Sequence, residues 1–233
     1  MVNKNQDVTY GVLNWGPCVM HLKISEEFHQ KLLKGAEEAR ATKITYQHKL
    51  AGIIKEEYEY KDIPHYLPEV AQCLGVYDAA YERWKNQKYK QKPEYVLTSL
   101  WVNYMKRYEY NPPHDHSDNL SFVIFLKVPE EIKKEQENYI GQSGGPGSLM
   151  FTYGDGDRDA ITYQAVQPKE RDIFIFPAWL KHYVVPFYSD VTRISVSGNV
   201  ASSIKLNQLR DLDKAKLVTN TEMEEKLKTN QEE

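Results

Sequence analysis

From Tyr95 onward the chain breaks into short β-branched and aromatic runs separated by turn residues, and no other feature constrains its fold as strongly. The runs are YVLTSLWVNYM, LSFVIFLKV, SLMFTYG, AITYQAV, DIFIFP, HYVVPF and TRISVSGNV. Strands recurring every 8–12 residues or so are the signature of an all-β sandwich or barrel. One insertion interrupts the series, PEEIKKEQENYIGQSGGPG between Pro129 and Gly147. Its charge and glycine content predict a solvated connection, the other reading being a mobile flap over a site.

The 233 residues suit one domain, read as three stretches. Residues 1–93 form an N-terminal α/β support region, 94–200 the β core, and 201–233 a polar C-terminal helix or tail. In the first stretch, Val8–Leu13 and Cys18–Ile24 read as strands. Ser25 then caps an amphipathic helix with Glu26 and Glu27 in its first turn and Phe28, Leu32, Leu33 and Ala36 on one face. A second helix is expected from about Pro68 through Val70, Leu74, Val76, Ala79, Ala80 and Trp84.

Charge narrows the partners. Thirty basic and 33 acidic residues leave a net charge of -3 and a pI near 6.2, so no nucleic-acid backbone binding is expected. Mean hydropathy is -0.66, and no apolar run approaches the roughly 18 residues that span a bilayer. With the polar start MVNKNQDVTY, this predicts a cytoplasmic protein without a membrane partner. Cys18 and Cys73 stand apart in no CxxC pattern, so neither a disulfide framework nor a zinc site is indicated.

The residues that carry chemistry lie in or beside the β-runs. In NPPHDHSDNLSFVIF, His116 and Asp118 stand two apart, and in an extended backbone both project to one face. His182 opens a later run and Arg193 lies in the next. Two imidazoles and a carboxylate are the protein ligands of a non-haem Fe(II) facial triad, which leaves metal positions open. Taken singly, each residue has a plainer reading: a polar turn for His116 and Asp118, a satisfied histidine for His182. Arg193 shares its strand face with Ser195 and Ser197 and no acid. If buried, it requires an anion.

The HSD, FPAWLKH and RIS segments together resemble the Fe(II)- and 2-oxoglutarate-dependent dioxygenases, over about Tyr95 to Asn199. Within them the chain is most similar to the prolyl-hydroxylase-like branch and to phage-encoded oxygenases with a WVN…NPPHxHS…SFVI pattern. The resemblance implies a double-stranded β-helix (jelly-roll) core, mainly β with flanking α, supported by the N-terminal helices. It makes His116, Asp118 and His182 the catalytic iron ligands. Arg193 becomes the partner of the far carboxylate of 2-oxoglutarate, Ser195 adds a hydrogen bond, and Tyr104 is the candidate hydroxyl at the cosubstrate, since Phe125 carries none where the prolyl hydroxylases have a tyrosine. Fe(II), 2-oxoglutarate and O2 are the implied cofactor and cosubstrates. The implied activity is hydroxylation of a C–H bond in a protein or small-molecule substrate, with release of succinate and CO2.

Positions 114, 116 and 118 have the same strand parity, so a second register built on His114 and His116 stays open, with His114 otherwise beside the ligands or facing substrate. A cupin-like metal-binding isomerase or small-ligand sensor is the nearest rival, since His114-x-His116 mimics the start of a cupin motif. Leu120 and Ser121 stand where its glutamate should follow. A barrel serving as an interaction module without metal is the third reading.

Overall fold

The computed structural model describes residues 2–5, 8–11, 16–85, 88–89, 92–154 and 163–203. A short hairpin joins β1 (Val2–Asn5) and β2 (Val8–Gly11). Then follow β3 (Met20–Lys23), α1 (Glu26–Ala41), β4 (Glu57–Glu59) and α2 (Leu67–Lys85). The β core comprises β5 (Tyr95–Met105), β6 (Asn111–His114), β7 (Leu120–Lys127), β8 (Leu149–Thr152), β9 (Tyr163–Val166), β10 (Asp172–Pro177), β11 (Lys181–Val184) and β12 (Arg193–Ser202), with α3 (Glu130–Glu137) after β7. The expected strand at Ala160–Val166 is described from Tyr163, and the expected C-terminal helix or tail lies outside the described residues beyond Ser203.

Two antiparallel sheets face one another, as the double-stranded β-helix reading requires. The larger has the order β3-β10-β7-β12-β5-β4 and the smaller β6-β11-β8-β9. Strand β7 shows how the sequence builds the layers. Seven of its eight residues are buried, so it reads as one continuous apolar run. Its parity splits that run: Phe122, Ile124 and Leu126 join the helix-covered core, whereas Val123 and Phe125 face the second sheet with Leu149, Phe151, Phe174 and Phe176.

The helices cover the outer face of the six-stranded sheet. Ser25 accepts a hydrogen bond from the Phe28 amide at 3.1 Å and starts α1, whose Phe28, Leu32, Ala36 and Ala39 are buried. Helix α2 begins at Leu67 with Pro68 in its first turn and buries Leu67, Val70, Leu74 and Tyr77. Val76, one of the apolar residues the expected helix runs through, is 49% exposed, and the buried stripe runs 67, 70, 74, 77. Among the described residues no helix is long and apolar enough to cross a membrane.

The 129–147 insertion is more than a solvated connection. It contains α3, and Ile132 is buried against Ile54, Met105 and Phe187. The Glu135 carboxylate accepts from the amides of Tyr188 and Ser189 at 2.9 and 2.6 Å. The segment ends at Gly147, with φ +75°, where a Cβ would stand 2.4 Å from Ile132 Cγ2. Only glycine fits that backbone and that contact.

Candidate active site

Between the sheets lies a cleft of about 120 Å³. The six-stranded sheet contributes Trp101 and Asn103 from β5, Ser121, Val123 and Phe125 from β7, Phe176 from β10, and Arg193, Ser195 and Ser197 from β12. The four-stranded sheet contributes His114, Leu149, His182 and Val184, and residues 49–51 and Asp115 complete the rim.

Three imidazoles meet here. One ring nitrogen from each of His114, His116 and His182 lies within 4.8 Å of the others, and they form the one such cluster of three potential ligands among the described residues. Strand pairing explains the meeting, since His114 on β6 is the cross-strand partner of His182 on β11. Pro112 and Pro113 lack amide protons, which confines β6 to the edge of its sheet and so to the cleft margin. His116 follows the strand, its amide donating to the Ala178 carbonyl at 2.8 Å.

The rings are prepared to accept a metal. His114 Nδ1 lies 2.7 Å from the Pro112 carbonyl oxygen and His182 Nδ1 2.9 Å from that of Leu180. A carbonyl only accepts, so both Nδ1 atoms carry the proton and Nε2 is the atom of each ring left for a metal. Burial, reinforced by the neighbouring His114 ring, pushes His116 down to about 4 and His182 to about 3. Both are neutral at physiological pH, the state a metal requires.

Of the residues expected at a metal, the structure brings His116 and His182 together. Asp118 is not the third member. Strand β6 ends at His114 and the backbone bends at 117–119, so the parity shared by 116 and 118 in an extended chain does not persist. The Asp118 carboxylate instead accepts from Thr98 Oγ1 at 2.9 Å. His114, the alternative register, stands in the cluster.

Arg193 and Ser195 both line the cleft, on the face predicted for them. Arg193 is 2% exposed. Its NH1 donates to the Gly147 carbonyl at 2.8 Å, NH2 points at Met105 Sδ, and the guanidinium lies 5.3 Å from the Phe125 ring centroid. Nε has no hydrogen-bond partner among the described residues. Burial alone pulls this group down to about 10, with no carboxylate opposing the shift. A guanidinium held in the interior without an anion is costly, and here it opens on a cleft that could supply one.

Tyr104, expected at the cosubstrate, is not in the cleft. It packs in the helix-covered core beneath the Arg40 guanidinium, 4.5 Å from its ring centroid, and edge-on to Tyr58. Its neighbour Asn103 takes the inward position instead. Alternation decides this: Trp101, Asn103 and Met105 share one face, while Leu100, Val102 and Tyr104 share the other. The signal for Asn103 was its common parity with Trp101, in a strand whose orientation only the helices reveal.

Residues 99–199 match the family described as "Putative 2OG-Fe(II) oxygenase". No curated protein matches the sequence. Among solved structures, one similar fold is a prolyl hydroxylase from Trichoplax adhaerens, in complex with a hypoxia inducible factor oxygen degradation domain peptide fragment. It is 12% identical, with 84% of this chain and 87% of that one covered at a TM-score of 0.51. Another is the non-heme alpha ketoglutarate dependent epimerase SnoN from nogalamycin biosynthesis, 16% identical over 78% of this chain and 76% of that one, TM-score 0.50. A further SnoN structure, in complex with Fe3+, alpha ketoglutarate and nogalamycin RO, is 14% identical over 78% of each chain, TM-score 0.50. At these identities the likeness establishes the shared fold.

Proposed function

We propose that this chain is an Fe(II)- and 2-oxoglutarate-dependent dioxygenase, a hydroxylase of a C–H bond in a protein or small-molecule substrate. The observation that carries the reading is the pairing, in one cleft, of three clustered imidazoles with a buried guanidinium that has no anion among the described residues. The donor set fits the group: nitrogen ligands suit iron, and three of them leave positions for a cosubstrate and O2. His114, His116 and His182 would hold the metal, and Arg193 the far carboxylate of 2-oxoglutarate. When bound, Fe(II) with 2-oxoglutarate and O2 supplies an oxidant for the substrate C–H bond, yielding succinate and CO2.

The chain's own residues provide position and dryness. Backbone carbonyls of Pro112 and Leu180 orient two of the imidazoles through their Nδ1 protons. The planar guanidinium of Arg193 can grip a carboxylate with two parallel bonds, and the Gly147 carbonyl steadies it from behind. Phe125, Phe176, Leu149 and Val184 keep water from the cleft walls. Asp115 on the rim supplies a negative charge close enough to act on His116.

Anaerobic addition of Fe(II) and 2-oxoglutarate to the metal-free protein tests the reading. It should give the weak visible band of a chelated cosubstrate, and air should then release succinate. A protein that binds iron but gives neither band nor succinate would refute the dioxygenase reading and favour the cupin-like sensor.

A further inference from the structure

A row of side chains runs at right angles to the strands of the larger sheet, and three of its members, Asn103, Ser195 and Phe125, line the cleft. Glu57 on β4 is the cross-strand partner of Asn103 on β5, Asn103 of Ser195 on β12, and Ser195 of Phe125 on β7. Members of one row project to one face of the sheet. The middle of the row has a polarity. Asn103 Nδ2 points toward β12, 3.4 Å from Ser195 Oγ and 3.3 Å from Ser197 Oγ, which leaves its amide oxygen on the side of β5 where β4 and its register partner Glu57 lie. Among the described residues that oxygen has no donor, and neither oxygen of Glu57 has a partner. Asn103 is 4% exposed and Glu57 0%.

Two acceptors cannot satisfy one another, but one proton resolves both. We propose that Glu57 is a positioning residue: as a neutral carboxylic acid it donates its proton to Asn103 Oδ1, holding the amide so that Nδ2 bonds Ser195 Oγ and frees the serine hydroxyl proton for the cosubstrate carboxylate beside Arg193. With Glu57 ionised, its carboxylate attracts Nδ2 instead. The amide turns over, Oδ1 faces Ser195, and the serine proton is diverted to it. Glu57 thus chooses between two polarities of one hydrogen-bonded row without touching the ligand.

The surroundings favour the acid. Burial, reinforced by the nearby Glu109 carboxylate, raises Glu57 to about 8. Glu109 is itself engaged with the amides of Lys55 and Lys106. The preceding residue, Glu56, takes Arg40 and Lys106. The Tyr46 amide donates to the Glu57 backbone carbonyl. The cation on β12, Arg193, stands two residues from Ser195 and pairs with Met105, whereas the charge that acts on Glu57 is that of Glu109.

The inference rests on the reading of the cleft as a 2-oxoglutarate site, and two measurements separate their fates. Infrared spectra of the metal-free protein report the proton alone. They should show a protonated-carboxyl stretch at neutral pH that fades as pH rises through about 8 and is absent from Glu57→Gln. Absence of the band in the wild type, or its survival in Glu57→Gln, would overturn the proposal whatever the cleft binds. Calorimetric titration of the metal-loaded protein with 2-oxoglutarate reports the positioning. Glu57→Leu should weaken binding about tenfold, as expected for an orphaned buried acceptor. Glu57→Gln, which still offers an N–H to Asn103, should recover affinity to within about threefold and abolish the wild-type weakening above the Glu57 pKa. Wild-type binding with no loss in Glu57→Leu, or the same alkaline loss in Glu57→Gln, would refute the positioning role. No wild-type binding at all would refute the cosubstrate reading and with it this positioning role, the infrared result then standing for the proton alone.

Discussion

Replacing Arg193 with Met should make the ligand-free protein more stable and its cosubstrate binding far weaker, opposite effects that follow from one buried charge. Burial lowers the Arg193 pKa from 12.5 to about 10. At about 1.4 kcal/mol per tenfold, that is about 3 kcal/mol set against the charged side chain in the fold. Below about 10 the guanidinium is protonated in the folded and unfolded chains alike, so this cost is constant across the neutral range. The bond to the Gly147 carbonyl offsets about 1–2 kcal/mol of it. Met fills similar space against Phe125 and Met105 without a charge, so a net gain of about 1–2 kcal/mol is expected. For a chain of this length each kcal/mol moves Tm by about 2–4 °C. Truncating one side of a desolvated charge pair costs about 2–5 kcal/mol, so 2-oxoglutarate affinity should fall roughly 30-fold to several thousand-fold. Arg193→Lys should recover part of it, having a point charge where Arg has a fork. Thermal denaturation of the ligand-free protein and calorimetry of the metal-loaded one read the two effects. An Arg193→Met protein that melts lower than wild type and binds 2-oxoglutarate equally well would refute the argument.

The other predictions concern the metal cluster, acid stability and the insertion. His114→Ala, His116→Ala and His182→Ala should each lose bound iron, whereas Asp118→Ala should keep it and lose only about 1 kcal/mol with the Thr98 bond; metal analysis of the four proteins decides, and an iron-free Asp118→Ala with an iron-replete His114→Ala would restore the carboxylate register. Because His116 and His182 have folded pKa values of about 4 and 3 against about 6.5 when unfolded, the unfolded chain binds protons first as pH falls. Metal-free stability is therefore fully present above about 6.5 and should drop by about 1.4 kcal/mol per pH unit for each histidine on acidification toward the folded values; urea titrations should find this slope, and His182→Phe should lessen it. Ile132→Ala should cost about 2–4 kcal/mol by opening a cavity against Met105 and Phe187. Since Ile132 also abuts Gly147, whose carbonyl holds Arg193, the same variant should raise the 2-oxoglutarate KM, and an unchanged KM would uncouple α3 from the cleft.

Local patterns carried much of this protein. The runs from Tyr95 to Met105 and from Asp172 to Pro177 became strands with those limits, because alternation and β-branching are properties of the segment itself. Ser25 capped its helix for the same reason. His116, His182, Arg193 and Ser195 could be singled out because each sits at a fixed parity in or beside such a run. What required the tertiary structure was every choice that depends on a distant partner. The bend at 117–119 is held by bonds from the Ala178 amide to the Asn119 carbonyl and from the Asn119 amide to the Val200 carbonyl, and it is this bend that turns Asp118 away and leaves His114 with His116 and His182. Parity placed Asn103 and Tyr104 on opposite faces, but which face met the second sheet was set by where α1 and α2 packed. Glu57, one acid among several in EEYEY, is distinguished only by the strand beside it and the burial around it. A residue's own neighbours in sequence determine its conformation, whereas its dielectric surroundings, and hence its charge, are made by segments far along the chain.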